Sequence, residues 1–287
     1  MQKNIAKGLI AFLLICIMAT CVHSFDKSLP SKTYAATYQV HERNLYENGT
    51  RVYNFNGWKK IGKKIYYFEK GRAIKGWHYL KSYGGGTERY RYYFRSDGSL
   101  LTDFFSVNRK KWIKHKIGIT VNMTTHTVTF LGWDNKTNSY RIPLKACVCA
   151  LPRKRNGCPT GTFRLEKTSA KRWYVYDSGN AYYYYQWAVH IKGTPSLFHS
   201  CRYLKKSNRR LATGLYNKLG NNITTHCIRM QAANAKLVYD ISTKTNKKAR
   251  VIVKIFRANG GCPFGKVKLN DTTGKINTRY DPTDPGL

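Results

Sequence analysis

TTHCIRMQAANAKLVYD, residues 224 to 240, sets a cysteine directly after a histidine and an arginine two residues further on. The rest of the segment has helical character: it is alanine-rich, with Met230, Ala233 and Leu237 along one face. Cys227 therefore stands just ahead of a short helix. A cysteine in such a place can be a nucleophile, a disulfide partner, a metal ligand or a small buried residue. The flanking sequence decides between them.

Upstream, IGITVNMTTHTVTFLGW (117–133) alternates apolar Ile117, Ile119, Val121 and Met123, turns, and resumes at Val128 and Phe130. That is the period of a hairpin with one buried face. RIPLKACVCALP (141–152), YYYYQWAVHIKG (182–193) and ARVIVKIF (249–256) are further strand candidates. The expectation is a mainly β domain over 113–256 with one short helix after Cys227, followed by a tail over 257–287.

Five segments appear in order along this domain: the hairpin just described, CPTGTF (158–163), LFHS (197–200), YNKLGNNITTHCIRMQAANAKLVYD (216–240) and YDPTDP (280–285). Together they resemble the L,D-transpeptidases of bacterial peptidoglycan synthesis. The resemblance implies a β-sandwich and a cysteine acyltransferase. Cys227 would be the nucleophile and His199 the proton donor and acceptor. Ser200 would orient His199, and Arg229 would support the site or the substrate. The N–H groups of Cys227 and His226 would form the oxyanion turn. The physical chemistry fits these roles. A free thiol is mostly protonated near neutral pH and needs a base or a positive neighbour. A histidine held by a third group supplies the base, and fixed donors hold the tetrahedral oxyanion.

The motif departs from the family at two places. Thr224, Thr225, His226 and Cys227 stand where the family has Ser-His-Gly-Cys, and Cys158 stands where threonine is common. A Cβ at position 226 predicts strain in the turn if the backbone there needs glycine's conformation. His226 would instead be tolerated at negative φ, or would take over the missing imidazole's task. Cys201, two residues past His199, is a rival thiol on the same strand face and reads as packing or as a redox partner. His115, His126 and His190 lie in strand-like segments and read as surface or packing residues.

Residues 48–107 carry a repeat. GWKKIGKKIYYFEKGRAIKGW (57–77) is followed by ERYRYYFRSDGSLLTDFF (88–105), and VYNFNGW (52–58) looks like the end of a truncated copy. Tyr-Tyr-Phe recurs at 66–68 and 92–94, each followed by a glycine, Gly71 and Gly98. Each unit predicts an aromatic hairpin that must stack on a neighbour to bury its rings. The insert SYGGGTE (82–88) lengthens the spacing between the copies; its glycines sit in an aromatic hairpin and are no phosphate loop. The pattern resembles the cell-wall-binding, choline-binding-type repeats. In those, aromatics hold a quaternary ammonium by cation–π attraction, which makes Trp58, Tyr67, Trp77 and Tyr93 the candidate wall-binding residues.

Composition bounds the partners. The chain has 287 residues, 51 Lys+Arg against 14 Asp+Glu, and a formal net charge of +37. Nucleic acid, anionic membrane or an anionic wall polymer would answer such a charge. Lys3 and Lys7, an apolar run from Gly8 to about Thr20, then Val22 and Ser24, read as a signal peptide over 1–24. The run is short of the ~20 residues a membrane span needs. Residues 25–47 read as a linker. Export argues against nucleic acid and for a wall-associated protein of Gram-positive type, with stem peptides and anionic polymers such as teichoic acid as partners. After cleavage six cysteines remain, too few for a disulfide scaffold of this length. CVC at 147–149 lacks the spacing of a zinc knuckle. No metal or cofactor is expected. The function expected is stem-peptide cross-linking through a cysteine acyl-enzyme. The alternatives are an L,D-carboxypeptidase, with water as acceptor, and a non-catalytic or weakened wall-binding protein.

Overall fold

The computed structural model describes residues 36–244 and 251–287. The segment 1–24, read above as a signal peptide, lies outside them. No described helix is long and apolar enough to cross a membrane.

The strands begin earlier than position 48. β1 (Tyr38–His41) and β2 (Asn44–Glu47) already form a hairpin. β3 (Thr50–Arg51), β4 (Gly57–Ile61), β5 (Lys64–Glu69) and β6 (Arg72–Ala73) complete a six-stranded sheet, and β7 (Gly76–Lys81) pairs with β8 (Arg89–Phe94) in a separate hairpin. The repeat is equivalent in three dimensions. In β4–β5 Gly57 faces Phe68 and Trp58 faces Tyr67; in β7–β8 Gly76 faces Phe94 and Trp77 faces Tyr93. The glycine after the first Tyr-Tyr-Phe is obligatory. Gly71 has φ +70°, and a Cβ there would lie 1.8 Å from the Val52 carbonyl oxygen. Leu45, Tyr66, Phe68 and Ala73 fill the small core of this region.

Two larger sheets follow. One has the order β11 (Ser139–Val148), β10 (Thr127–Asp134), β9 (Ile117–Asn122), β19 (Ile252–Phe256), β13 (Gly161–Arg164). The other has the order β14 (Lys171–Asp177), β15 (Tyr182–His190), β16 (Leu197–Ser200), β18 (Ile228–Met230). The alternating residues Ile117, Ile119 and Val121 of the first sheet and Val189, Phe198, Ile228 and Met230 of the second share one core. The domain is thus a mainly β sandwich. β12 (Leu151–Pro152) and β17 (Asn222–Thr224) form a short parallel pair beside it.

Among the described residues, three α-helices complete the fold. The helix expected after Cys227 is α3 (Ala232–Lys244), which buries Leu237, Val238 and Ile241 in the shared core. α1 (Phe104–Ile113) and α2 (Thr213–Tyr216) come in addition. Asp103 caps α1 by accepting from the N–H groups of Phe105 and Ser106 at 3.0 and 3.1 Å. α1 has no acidic residue in its first turn and breaks at Asn108 (φ −152°, ψ 80°), which hides its helical period in the sequence.

The tail is built into the domain. Buried Asp281 accepts from the Ala232 N–H at 2.7 Å and so satisfies the first turn of α3. Buried Asp284 accepts from Gln186 Nε2 at 2.9 Å and from the Tyr203 hydroxyl at 3.1 Å.

Candidate active site

β16 and β18 run parallel, with Phe198 beside Ile228, His199 beside Arg229 and Ser200 beside Met230. Side chains alternate between faces along a strand, and paired neighbours share a face. Phe198, Ile228 and Met230 point into the core. His199 and Arg229 therefore share the opposite face, and Cys227, two residues before Arg229, opens it. The backbone N–H of Leu197 faces the Cys227 sulfur. Tyr185 of β15 closes the cluster, with its ring 4.2 Å from the His199 imidazole and 5.8 Å from the Arg229 guanidinium carbon. His199 lies beside Arg229, thirty residues further along the chain, because a parallel pair joins β16 to β18, and Cys227 stands two residues before that arginine.

Of the six described cysteines, Cys227 alone is half-exposed; the other five are buried, and all six are free thiols. Burial pushes the Cys227 thiol up, while the Leu197 N–H and the Arg229 charge pull it down. Burial and the Arg229 charge push His199 down to about 3. The His199 ring meets the Ser200 carbonyl through Nδ1 at 2.6 Å. A carbonyl only accepts, so Nδ1 carries the proton and Nε2 keeps its lone pair. Cys227 is thus held as a thiol and His199 as a neutral imidazole.

Ser200 holds His199 through this backbone carbonyl. Its hydroxyl is used elsewhere, accepting from the Gln186 N–H and donating to the Cys201 carbonyl, both at 2.8 Å. Arg229 is buried, and its Nε and Nη1 have no hydrogen-bond partner among the described residues. A buried guanidinium without a carboxylate leaves a net positive charge beside the sulfur, where a thiolate or an oxyanion would develop.

The turn before β18 is tightly held. The Thr224 hydroxyl donates to the Cys227 carbonyl at 2.6 Å, and the Arg153 N–H donates to the Thr224 carbonyl at 2.9 Å. His226 is exposed, and its Nδ1 donates to the Gly157 carbonyl at 2.8 Å. The strain expected at position 226 is absent: His226 is not among the residues with positive φ, so its Cβ meets no left-handed backbone. The N–H groups of His226 and Cys227 have no acceptor among the described residues. They are the two donors an oxyanion would use.

Sequence reasoning missed Gly157. A Cβ there would lie 2.5 Å from the Thr225 carbonyl oxygen and 2.6 Å from Pro152 Cβ. The loop after β12 thus lies directly against the turn before Cys227, a contact that no local pattern announces. Cys201 is fully buried in a second cluster with Val148 and Tyr203, and burial pushes its thiol far up. Among the described residues no three His, Cys, Asp or Glu side chains gather as metal ligands would.

The four candidate wall-binding rings lie in the hairpin region and pack on protein. Trp58 contacts Tyr67, Tyr83, Tyr92 and Phe94 at 5.0 to 5.8 Å, and its Nε1–H donates to the Lys81 carbonyl at 3.1 Å. Trp77 packs on Tyr93 and Phe104 at 5.1 and 5.8 Å. The cation over Trp77 is the protein's own Arg91, 4.8 Å from the ring centre.

No protein-family model matches the sequence, and no curated protein matches it. Among solved structures, the chain is similar to an L,D-transpeptidase from Mycobacterium smegmatis at 16% identity, over 50% of this chain and 59% of the other, with a TM-score of 0.37. An L,D-transpeptidase from Mycobacterium tuberculosis gives 17% identity, 50% and 58% coverage, and a TM-score of 0.36. A fused Zn-dependent amidase/peptidase/peptidoglycan-binding domain-containing protein from Clostridium acetobutylicum gives 18%, 49% and 52%, and 0.33. The matched part spans less than two thirds of each of those chains. What the site can do follows from its own residues.

Proposed function

We propose that the protein is an exported cysteine acyltransferase of the L,D-transpeptidase type, acting on peptidoglycan stem peptides at the wall. The observation that supports this reading is the pairing of His199 with Arg229 across two parallel strands, with Cys227, the one half-exposed thiol among the described cysteines, two residues before Arg229 and under the influence of its charge.

The chemistry runs as a proton-coupled acyl transfer. His199 Nε2 takes the Cys227 proton as sulfur attacks the carbonyl carbon of the third stem residue. The oxyanion rests on the N–H groups of His226 and Cys227, with the Arg229 charge behind it. Collapse breaks the C–N bond, and the imidazolium returns its proton to the departing amine of the terminal D-alanine. The side-chain amine of a second stem then attacks the thioester, loses its proton to His199 and displaces the Cys227 sulfur as the product amide forms. Water in that place yields an L,D-carboxypeptidase. The net charge of +37 suits an anionic wall, and the exposed ring of Trp77 adds an aromatic surface beside it.

A second reading is a wall-binding protein with a weakened site. It is favoured by the Arg229 charge, which opposes an imidazolium at His199, and by Thr225 and His226 in place of His-Gly. Intact-protein mass spectrometry after incubation with a carbapenem separates the two. The acyltransferase reading expects one covalent adduct, lost in Cys227→Ala and kept in Cys201→Ala. An adduct that survives Cys227→Ala would remove it.

A further inference from the structure

On the outer side of the catalytic turn, Thr124, Pro152, Asn222 and three arginines, Arg153, Arg155 and Arg257, line a concavity of about 410 Å³. None of these arginines belongs to an ion pair among the described residues. Three guanidinium groups drawn to one concavity repel one another, and the protein supplies no carboxylate to offset them. Each retains a planar fork of donors suited to a carboxylate.

The concavity is joined to the site. Leu151 and Pro152 pair with Asn222 and Thr224, so the strand pair that forms its floor runs straight into the turn that ends at Cys227. The loop that carries Arg153 and Arg155 continues to Gly157, whose carbonyl holds His226. Arg257 Nη2 donates to the Arg155 carbonyl at 2.6 Å and ties that loop to the end of β19.

We infer that this concavity is a carboxylate subsite, through which the chain selects stem peptides with free rather than amidated carboxylates. The inference rests on the reading of Cys227 as a nucleophile toward stem peptides. Arginine forks exchange water for a bidentate carboxylate at a gain that an amide cannot match, because an amide brings no charge and presents N–H to N–H. The expected selectivity is about ten- to a hundredfold, the usual worth of a charge-assisted hydrogen bond.

The test is calorimetric and needs no turnover. The full chain carrying Cys227→Ala is titrated with a tetrapeptide stem bearing free carboxylates and with the same peptide fully amidated. The free form should bind at least about tenfold more tightly. Adding Arg153→Glu and Arg155→Glu, which leave the loop's backbone bonds in place, should abolish the difference. Lys110→Glu with Lys114→Glu, the same charge change on α1, should preserve it. Equal binding of the two peptides, absence of binding by either, or a preference that survives the arginine changes would overturn the subsite. Carbapenem acylation of Cys227, measured alongside, reports on the nucleophile separately. A carboxylate preference without an adduct would keep the subsite and remove the acyltransferase. An adduct without a preference would do the reverse.

Discussion

His199 makes the protein's stability depend on pH in a calculable way. Its ordinary value of 6.5 is pushed down to about 3 in the fold, by burial and by the Arg229 charge. The unfolded chain therefore binds a proton at a pH where the folded chain does not. The stability this group contributes is complete above pH 6.5 and is lost as pH falls from 6.5 toward 3. Each unit is worth about 1.4 kcal/mol, so the loss is on the order of 3 kcal/mol at pH 4.5 and nears about 5 kcal/mol below pH 3. Urea unfolding of the parent and of His199→Gln at pH 7 and pH 4.5, at constant salt, isolates the effect. Whatever the substitution costs by itself cancels in the pH difference. The parent should lose on the order of 3 kcal/mol more than the variant between these two conditions. Parallel losses would mean that His199 titrates normally and that the neutral-base account of the site is wrong. The same neutrality predicts that carbapenem acylation between pH 7 and pH 5 shows no fall of the kind a protonating histidine causes.

Two further outcomes follow from packing. His226→Gly removes the bond to the Gly157 carbonyl and loosens a turn that has no left-handed residue to relieve, so acylation should slow and stability should fall by about 1 kcal/mol; a faster reaction in stopped-flow would restore the steric account of position 226. Trp58→Ala empties a site among Tyr67, Tyr83, Tyr92 and Phe94 and should cost about 3 kcal/mol in thermal unfolding. An unchanged Tm with lost binding to purified walls would make Trp58 a ligand-binding ring instead.

The periodic signals carried the architecture. Alternation at Ile117, Ile119 and Val121 marks a strand with one buried face, because side chains on a strand repeat every two residues, and these three fall in the core. The repeated Gly-Trp and Tyr-Tyr-Phe units share one register, since each glycine and aromatic serves the same hairpin geometry. The helix after Cys227 was legible from its alanines and its apolar face. α1 was not, because its break at Asn108 and its lysines disguise the period, and its apolar residues Phe104 and Phe105 adjoin the repeat.

The candidate site divides in the same way. Cys227, His199, Ser200 and Arg229 could be named from the sequence because the segments around them, LFHS and TTHCIRM, resemble those of the L,D-transpeptidases in order. Their roles could not be completed there. Ser200 acts through its carbonyl, a group every residue has, so its side chain was no guide. Gly157 and the tail aspartates Asp281 and Asp284 act through contacts across distant stretches of chain, which leave no local period. The aromatic rings of the hairpins were placed on strands, yet only the packed molecule showed which rings pack on Trp58 and that Arg91 lies over Trp77, whose ring stays partly exposed. Sequence by itself determined which residues carry reactive chemistry and which faces seek burial, because both are properties of residue type and spacing. Tertiary structure decided the protonation of His199, the conformation at His226 and the partners of each ring, because burial, charge and contact depend on what the rest of the chain brings alongside.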